Sequence, residues 1–485
     1  MQNVDLIIAH GYVVTMDPSH RIIEDGGVAI TGDRIIAVAE TSALLERYSA
    51  GRIIDATGHV VMPGLIDVHA HAGHEFFRFI AEHAPQMAWF DIADHIYFRC
   101  STEAFWETEG RLSALERLKF GTTTAVMMLG SAPRCDSPVY ADAHMEAALS
   151  VGIHNIVGVG PARPPFPRKF STWDGMKRSD HWSSLDEQYQ TSEAVIRKWH
   201  GTRNGRAGVC VAASRLAPNP QERDLEIDEF FRDQAKRMRR LANAYGVLLT
   251  GHASAGIKRG LDSGQDSMAA AEPEILGPDL VVAHGLGLGP DTISRFADTG
   301  TKVAHCPTAR VHYMQRCPVP ELIDGGVDVA IGSDASAADR TFDLFKEVRM
   351  GMTLHRTHFR DKSVLPPGKA LRMITIDAAK VLSLDNEIGS LEVGKRADAI
   401  LIDLHAPHLW PPYMNAHRIA YAATGHDVRT VICGGKVLME DRKVLTIDED
   451  KALEDAELEW RLMHKRSGLQ PLMEMPDGFW SGSRY

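Results

Sequence analysis

Apolar and polar positions alternate in short runs along residues 1–58. The runs VDLIIAHGYVVTMD, GGVAITGDRIIAVAE and GRIIDATGHVV are rich in β-branched residues and are separated by turn formers such as Thr31-Gly32-Asp33. This pattern predicts short strands. From residue 59 the rhythm changes. Strand-like apolar runs at 59–71, 121–130, 154–161, 207–214, 246–254, 280–288, 302–308 and 327–336 alternate with helical segments such as 105–120, 185–200, 226–245 and 290–299. Within 226–245, Ile227, Phe230, Phe231, Met238, Leu241, Ala242 and Tyr245 fall largely on one helical face. Alternation of this kind implies a parallel sheet covered by helices, and eight units in succession predict a closed (β/α)8 barrel. Short β pattern returns at 397–404, 428–433 and 436–439.

The predicted fold is therefore α/β: a TIM barrel beside a small β-sandwich built from both chain ends. The expected boundaries are 1–58 and 391–445 for the two parts of the sandwich, 59–390 for the barrel, and 446–485 for a C-terminal helix and an aromatic tail. Two long loops, after the first and third barrel strands, hold Phe76, Phe77, Phe79, Trp89, Phe90, Phe166, Phe170, Trp173 and Trp182. Loops that follow barrel strands lie on the catalytic face, so these aromatics read either as a lid over a substrate or as side chains that order the loops.

Composition narrows the picture. Hydrophobic residues make up 44% and charged residues 24%, which is ordinary globular usage. Lys and Arg number 53 against 64 Asp and Glu, a net charge of −11. That excludes a surface built to bind nucleic acid or anionic membrane. No apolar run reaches the length of a membrane span, and the N-terminus has no basic leader. The six cysteines are scattered with no CxxC pair; isolated thiols fit a reducing compartment, so a cytoplasmic location is expected.

Candidate chemistry sits at the strand ends. His69 and His71 in PGLIDVHAHAGH lie two apart, hence on one face of the first strand. His252 ends the fifth strand, His284 the sixth and Asp334 the eighth, while His305 lies on the seventh. Neutral imidazoles sharing a face suit a borderline divalent metal. Arg215 directly follows the fourth strand and offers a fork of donors to a carbonyl or carboxylate; a surface arginine is the plainer reading. His74 and Trp89 lie in the first aromatic loop and Arg310 in HCPTAR; these, with His305 and Arg215, are the candidate substrate contacts. Cys306 reads as a small buried hydrophobe. HGLGLGP lacks the spacing of a dinucleotide site.

The pieces PGLIDVHAH, GTTTAV, the strand ends at His252 and His284, VAHCP, GSDAS and TIDAAKVLSLDNEIGSLEVGKRADAILIDL resemble the amidohydrolase superfamily, in particular its cytosine-deaminase-like and triazine-hydrolase branch. The resemblance covers nearly the whole chain. It implies one divalent metal, zinc first with iron or cobalt as alternatives, held by His69, His71, His252 and Asp334. Asp334 would move protons and His284 would stabilise charge on the substrate oxygen. It also implies a homodimer or larger homo-oligomer.

Three departures shape the expected activity. His252 is followed by Ala253, Ser254 and Ala255, where deaminases of this branch carry a Glu at the third position. Arg310 stands where the family has Asn. The fourth strand, AGVCVAAS, lacks a Lys to bridge two metals. The expectation is a metal-dependent hydrolase of a non-peptide C–N bond in a small amide, urea or carbamate. The alternatives are an aminohydrolase or dechlorinase of a nitrogen heterocycle and, last, a non-catalytic scaffold.

Overall fold

The computed structural model describes residues 1–80, 86–129, 134–218, 225–253, 266–311, 316–336 and 340–483, apart from the side chains of 86–88, 225, 310 and 311. Its centre is an eight-stranded parallel sheet in strict chain order. The barrel strands are β1 (Leu65–His71), β2 (Thr122–Met128), β3 (His154–Val159), β4 (Ala207–Ala213), β5 (Leu249–His252), β6 (Leu280–Ala283), β7 (Lys302–His305) and β8 (Val329–Ile331). Every residue of β1 and β2 is buried, as expected of strands covered on both faces.

The sheet closes between β8 and β1. Asp334 N donates to His69 O at 2.9 Å, and Ala70 bridges Asp334 in the parallel sense. The closure requires glycine at 332, because a Cβ there would lie 2.7 Å from the His69 carbonyl oxygen. Beneath this seam Asp67 accepts from Ser333 N at 2.9 Å and lies 3.5 Å from Arg117, whose guanidinium stacks 3.3 Å above the Phe342 ring.

Helices Glu103–Lys119, Leu185–Trp199, Leu225–Tyr245 and Pro290–Thr299 occupy the segments that the apolar spacing predicts. Local signals set their ends. Ser184 and Glu187 form a reciprocal capping box, and Gly300 closes its helix in the left-handed region at φ 70°.

Both chain ends build one nine-stranded sheet. Its order runs Lys443–Val444, Lys436–Glu440, Val428–Cys433, Ala399–Asp403, His59–Pro63, Gln2–Val14, Ile22–Thr31, Arg34–Glu40, and Tyr48–Asp55 adds in parallel to Gln2–Val14. The sheet curls until its two halves meet: Ala397 N donates to Asp33 O at 2.9 Å, and Ile35 N to Lys395 O at 2.9 Å. Ile30 and Ile35 thus share an apolar core with Ala399 and Ile432. One strand falls differently from the sequence reading. His59–Pro63 pairs with Gln2–Val14 and Ala399–Asp403, so the barrel begins at Leu65. The run 59–71 is two strands because Gly64 turns the chain where a Cβ would meet Thr123 at 2.3 Å.

The loop after β3 also departs from an irregular lid. It folds into a hairpin, Arg168–Asp174 with Lys177–Ser183, packed on the first aromatic loop. Phe170 meets Phe98 at 5.1 Å, and Trp173 Nε1 donates to Arg99 O at 2.7 Å. These aromatics order the loops against each other, whereas Trp182 is exposed.

Candidate metal centre and substrate pocket

The C-terminal ends of β1, β5 and β6 and the turn after β8 bring four histidines and one aspartate together. The His69 ring meets His71 at 5.0 Å and both His252 and His284 at 5.3 Å, in each case edge to face. His71 and His252 stack at 5.1 Å, and His252 lies 5.2 Å from His284. Asp334 Oδ1 is 3.3 Å from His71 Nε2 and 3.8 Å from His69 Nε2. Donor atoms of His69, His71 and His252 lie within 4.8 Å of one another, as do those of His69, His284 and Asp334.

Two of these residues are held in the left-handed backbone region, Asp334 at φ 62° and His284 at φ 72°. For non-glycine residues this costs roughly 1–3 kcal/mol each and persists where surrounding structure enforces it. Main-chain bonds do so here: Asp334 N to His69 O at 2.9 Å and His284 N to Ala304 O at 2.8 Å.

Burial alone would raise the Asp334 pKa. The facing His284 and the His71 hydrogen bond outweigh it and hold the carboxyl well below its ordinary range. The group is therefore an anion among imidazoles. Nitrogens of four imidazoles and one carboxylate therefore converge on a small volume. That donor set fits a borderline divalent cation.

His74 extends the site. It is buried and packs on His71 at 5.5 Å, Phe77 at 5.0 Å, Trp89 at 5.3 Å and Tyr97 at 5.9 Å. Burial, then the charge of His71, push its pKa well below the ordinary value, so the ring is neutral. Its two nitrogens take no hydrogen bond among the described residues. His74 and Trp89, both read from the sequence as substrate contacts, form an aromatic wall beside the imidazole cluster.

Two other candidates are placed elsewhere. His305 is buried, but its ring packs on His355 at 5.2 Å and beside Gly351 in the helix Leu344–Phe359, on the side of the surrounding helices. Alternation along β7 sends it there. Arg215 lies 4.0 Å above the Phe231 ring and 3.7 Å from Asp228, both in the helix Leu225–Tyr245. Its guanidinium is thus engaged by the flanking helix. The Arg310 side chain lies outside the described residues.

One residue went unread in the sequence. Arg340 is buried, donates from Nε to Ala335 O at 2.7 Å, and its charge acts on both Asp334 and His74. The signal available was an arginine six positions beyond Asp334, in GSDASAADR.

A parallel eight-stranded barrel with histidines and an aspartate converging at its C-terminal mouth defines the class of metal-dependent hydrolases. The profile of the Amidohydrolase family matches residues 60–438. The chain belongs to this family and is a hydrolase of carbon–nitrogen bonds other than peptide bonds. It is 31% identical over 463 residues to a 5-methylthioadenosine/S-adenosylhomocysteine deaminase of Syntrophobacter fumaroxidans, covering 93% of this chain and 96% of that one. It is 30% identical over 457 residues to a 5'-deoxyadenosine deaminase of Methanococcoides burtonii, covering 93% and 96%. Among solved structures, an adenosine deaminase from Xanthomonas campestris with bound zinc superposes with a TM-score of 0.81 at 24% identity, covering 96% of this chain and 99% of that one. The atrazine chlorohydrolase of Arthrobacter aurescens complexed with zinc gives 0.74 at 21% identity, covering 94% and 100%. No helix among the described residues is long and apolar enough to cross a membrane.

Proposed function

We propose that this enzyme replaces nitrogen by the oxygen of water at an sp² carbon of a flat, nitrogen-rich small molecule, with an aminated heterocycle as the first substrate class. The observation that carries the reading is the convergence of His69, His71, His252 and Asp334 beside the aromatic wall of His74, Phe77, Trp89 and Tyr97. The deaminases that resemble this chain over 93% of its length support the heterocycle.

His69, His71, His252 and Asp334 would hold one divalent ion, with zinc first on the strength of the zinc-bound structural neighbours. Such an ion supplies Lewis acidity and brings the pKa of water down to about 7. The chain's own residues do the rest. Asp334, ionised by its surroundings, accepts the proton of the attacking water and returns it to the departing nitrogen. His284, fixed by its own main chain, hydrogen-bonds the oxygen on which charge develops. The neutral His74 ring, with Trp89 and Phe77, gives a planar substrate a stacking surface. The buried Arg340 adds a positive field at the same mouth.

One observation favours a second substrate class. Position 255 is alanine, so no carboxylic acid stands there to protonate a ring nitrogen. In a heterocycle Asp334 would have to make both proton transfers. An amide, urea or carbamate needs no ring proton. Product mass spectrometry of the zinc-loaded enzyme separates the classes, using a panel of adenine nucleosides and other aminated heterocycles beside aryl amides, ureas and carbamates. Ammonia release with the ring intact and an oxygen in place of nitrogen is the expected result. Scission into an amine and an acid or carbon dioxide would establish the second class. No product from either half of the panel would overturn the proposal.

A further inference from the structure

A separate group of ligand-type side chains lies at the other end of the barrel. His154 opens β3, Asp398 immediately precedes the outer strand Ala399–Asp403, and Cys433 ends the outer strand Val428–Cys433. All three are buried, and their donor atoms lie within 4.8 Å of one another.

The carboxylate is aimed. Asp398 Oδ1 accepts from Gly434 N at 2.6 Å, which orients the group so that Oδ2 approaches His154 Nε2 at 3.1 Å. Among the described residues no well-aligned nitrogen or oxygen donor reaches Oδ2, and the bond from the imidazole is a long one, 3.5 Å to Oδ1. The short approach therefore lies off the N–H direction. The Cys433 thiol lies beside the same carboxylate, which holds its proton, and makes a further 3.8 Å contact to Thr123 O. An imidazolium–carboxylate pair would account for His154 and Asp398. It would leave the third donor, the Cys433 sulfur, outside the pair although it lies within 4.8 Å of the other two.

Three donor types, nitrogen, oxygen and sulfur, converging from three chain segments are what a borderline-to-soft divalent cation takes. The main-chain bond to Oδ1 is the kind of outer contact that fixes a ligating carboxylate. His154 also borders a cavity of about 570 Å³ whose lining includes Thr124, Ile156, Arg206 and Gly208.

The structure assigns His154, Asp398 and Cys433 as a second, structural site for a zinc-type cation, tying the bottom of the barrel to the sheet made by the chain ends. Binding takes the thiol as thiolate and releases its proton to solvent. Location agrees with the role, since the N-terminal face of such barrels serves stability and the C-terminal face serves chemistry.

Cobalt(II) substitution tests the assignment. His69, His71, His252 and Asp334 contain no sulfur, so thiolate-to-cobalt charge-transfer absorption in the near ultraviolet reports the second site alone. Cobalt-loaded wild-type enzyme is expected to show this absorption and to carry two cobalt ions per chain by mass spectrometry of the metal. Cys433→Ser is expected to lose the absorption and one ion. His69→Ala is expected to keep the absorption while its metal content falls. The wild-type spectrum decides even if a variant does not fold. One ion per chain without the charge-transfer band overturns the assignment, and so does a band that survives Cys433→Ser.

Discussion

Asp334 carries most of the chemistry in this account, and its state follows from its neighbours. His284 and His71 keep it ionised despite burial. Asp334→Asn keeps the volume and loses the proton carrier, so turnover should fall by about 10²–10⁴-fold, measured by steady-state kinetics with circular dichroism confirming the fold. His74 is neutral and packed, so the role proposed for it is contact rather than proton transfer. His74→Phe should raise KM several-fold and leave kcat nearly unchanged; a large fall in kcat with KM constant would contradict that role. The residues gathered here were legible in the sequence wherever a strand end carried them. HxH at 69 and 71 and the termini at 252, 284 and 334 need only the period of a strand. His305 shows the limit of that reasoning. Alternation defines two faces, and without the register of β7 nothing in the sequence says which one points inward. Arg340 was illegible for the opposite reason: no period leads to a residue in an irregular loop.

At the scale of elements, the seam between β8 and β1 sets the geometry of the centre. Gly332 is required by the close approach of the His69 backbone, and Asp67 braces the turn through Ser333. Gly332→Ala should therefore lower both thermal stability and metal retention, read by calorimetry and metal analysis, because the His69 carbonyl it would meet is backbone and cannot swing away. Asp67→Ala strands a fully buried Arg117. Removing one partner of a buried pair costs about 3–5 kcal/mol, which urea unfolding should show. Eight strands and their helices were readable from periodicity, since barrel strands buried on both faces read as apolar runs. The hairpin Arg168–Asp174 with Lys177–Ser183 was not. Its strands carry charges outward, and their partner is another loop rather than the core.

The whole molecule stores opposing titrations. Burial raises Glu109 and Glu347 from 4.5 to about 7 and lowers His144 and His355 from 6.5 to about 3 and about 4. The two glutamates hold protons that the unfolded chain would release. Their contribution is full below 4.5 and is lost as pH rises through 7. The histidines contribute above 6.5 and lose it as pH falls towards 3–4. Stability should be nearly flat where the slopes oppose, fall in acid, and decline again near neutrality. Melting temperatures against pH check this: Glu109→Gln should decline less than wild type between about pH 6 and pH 8. A parallel decline would contradict it. The union of the two chain ends in one sheet was legible because both read as short strands, whereas the placement of His59–Pro63 in that sheet depends on distant partners, Ala399 against Pro63 and Asp403 against His59.

The most direct test of the central claim is turnover of chelator-stripped enzyme, titrated with zinc in ¹⁸O-labelled water, on the best substrate of the panel. The account predicts that activity is lost on stripping and returns with zinc, and that one ¹⁸O appears at the carbon that carried nitrogen. Undiminished turnover after stripping, or a product without solvent oxygen at that carbon, would contradict it.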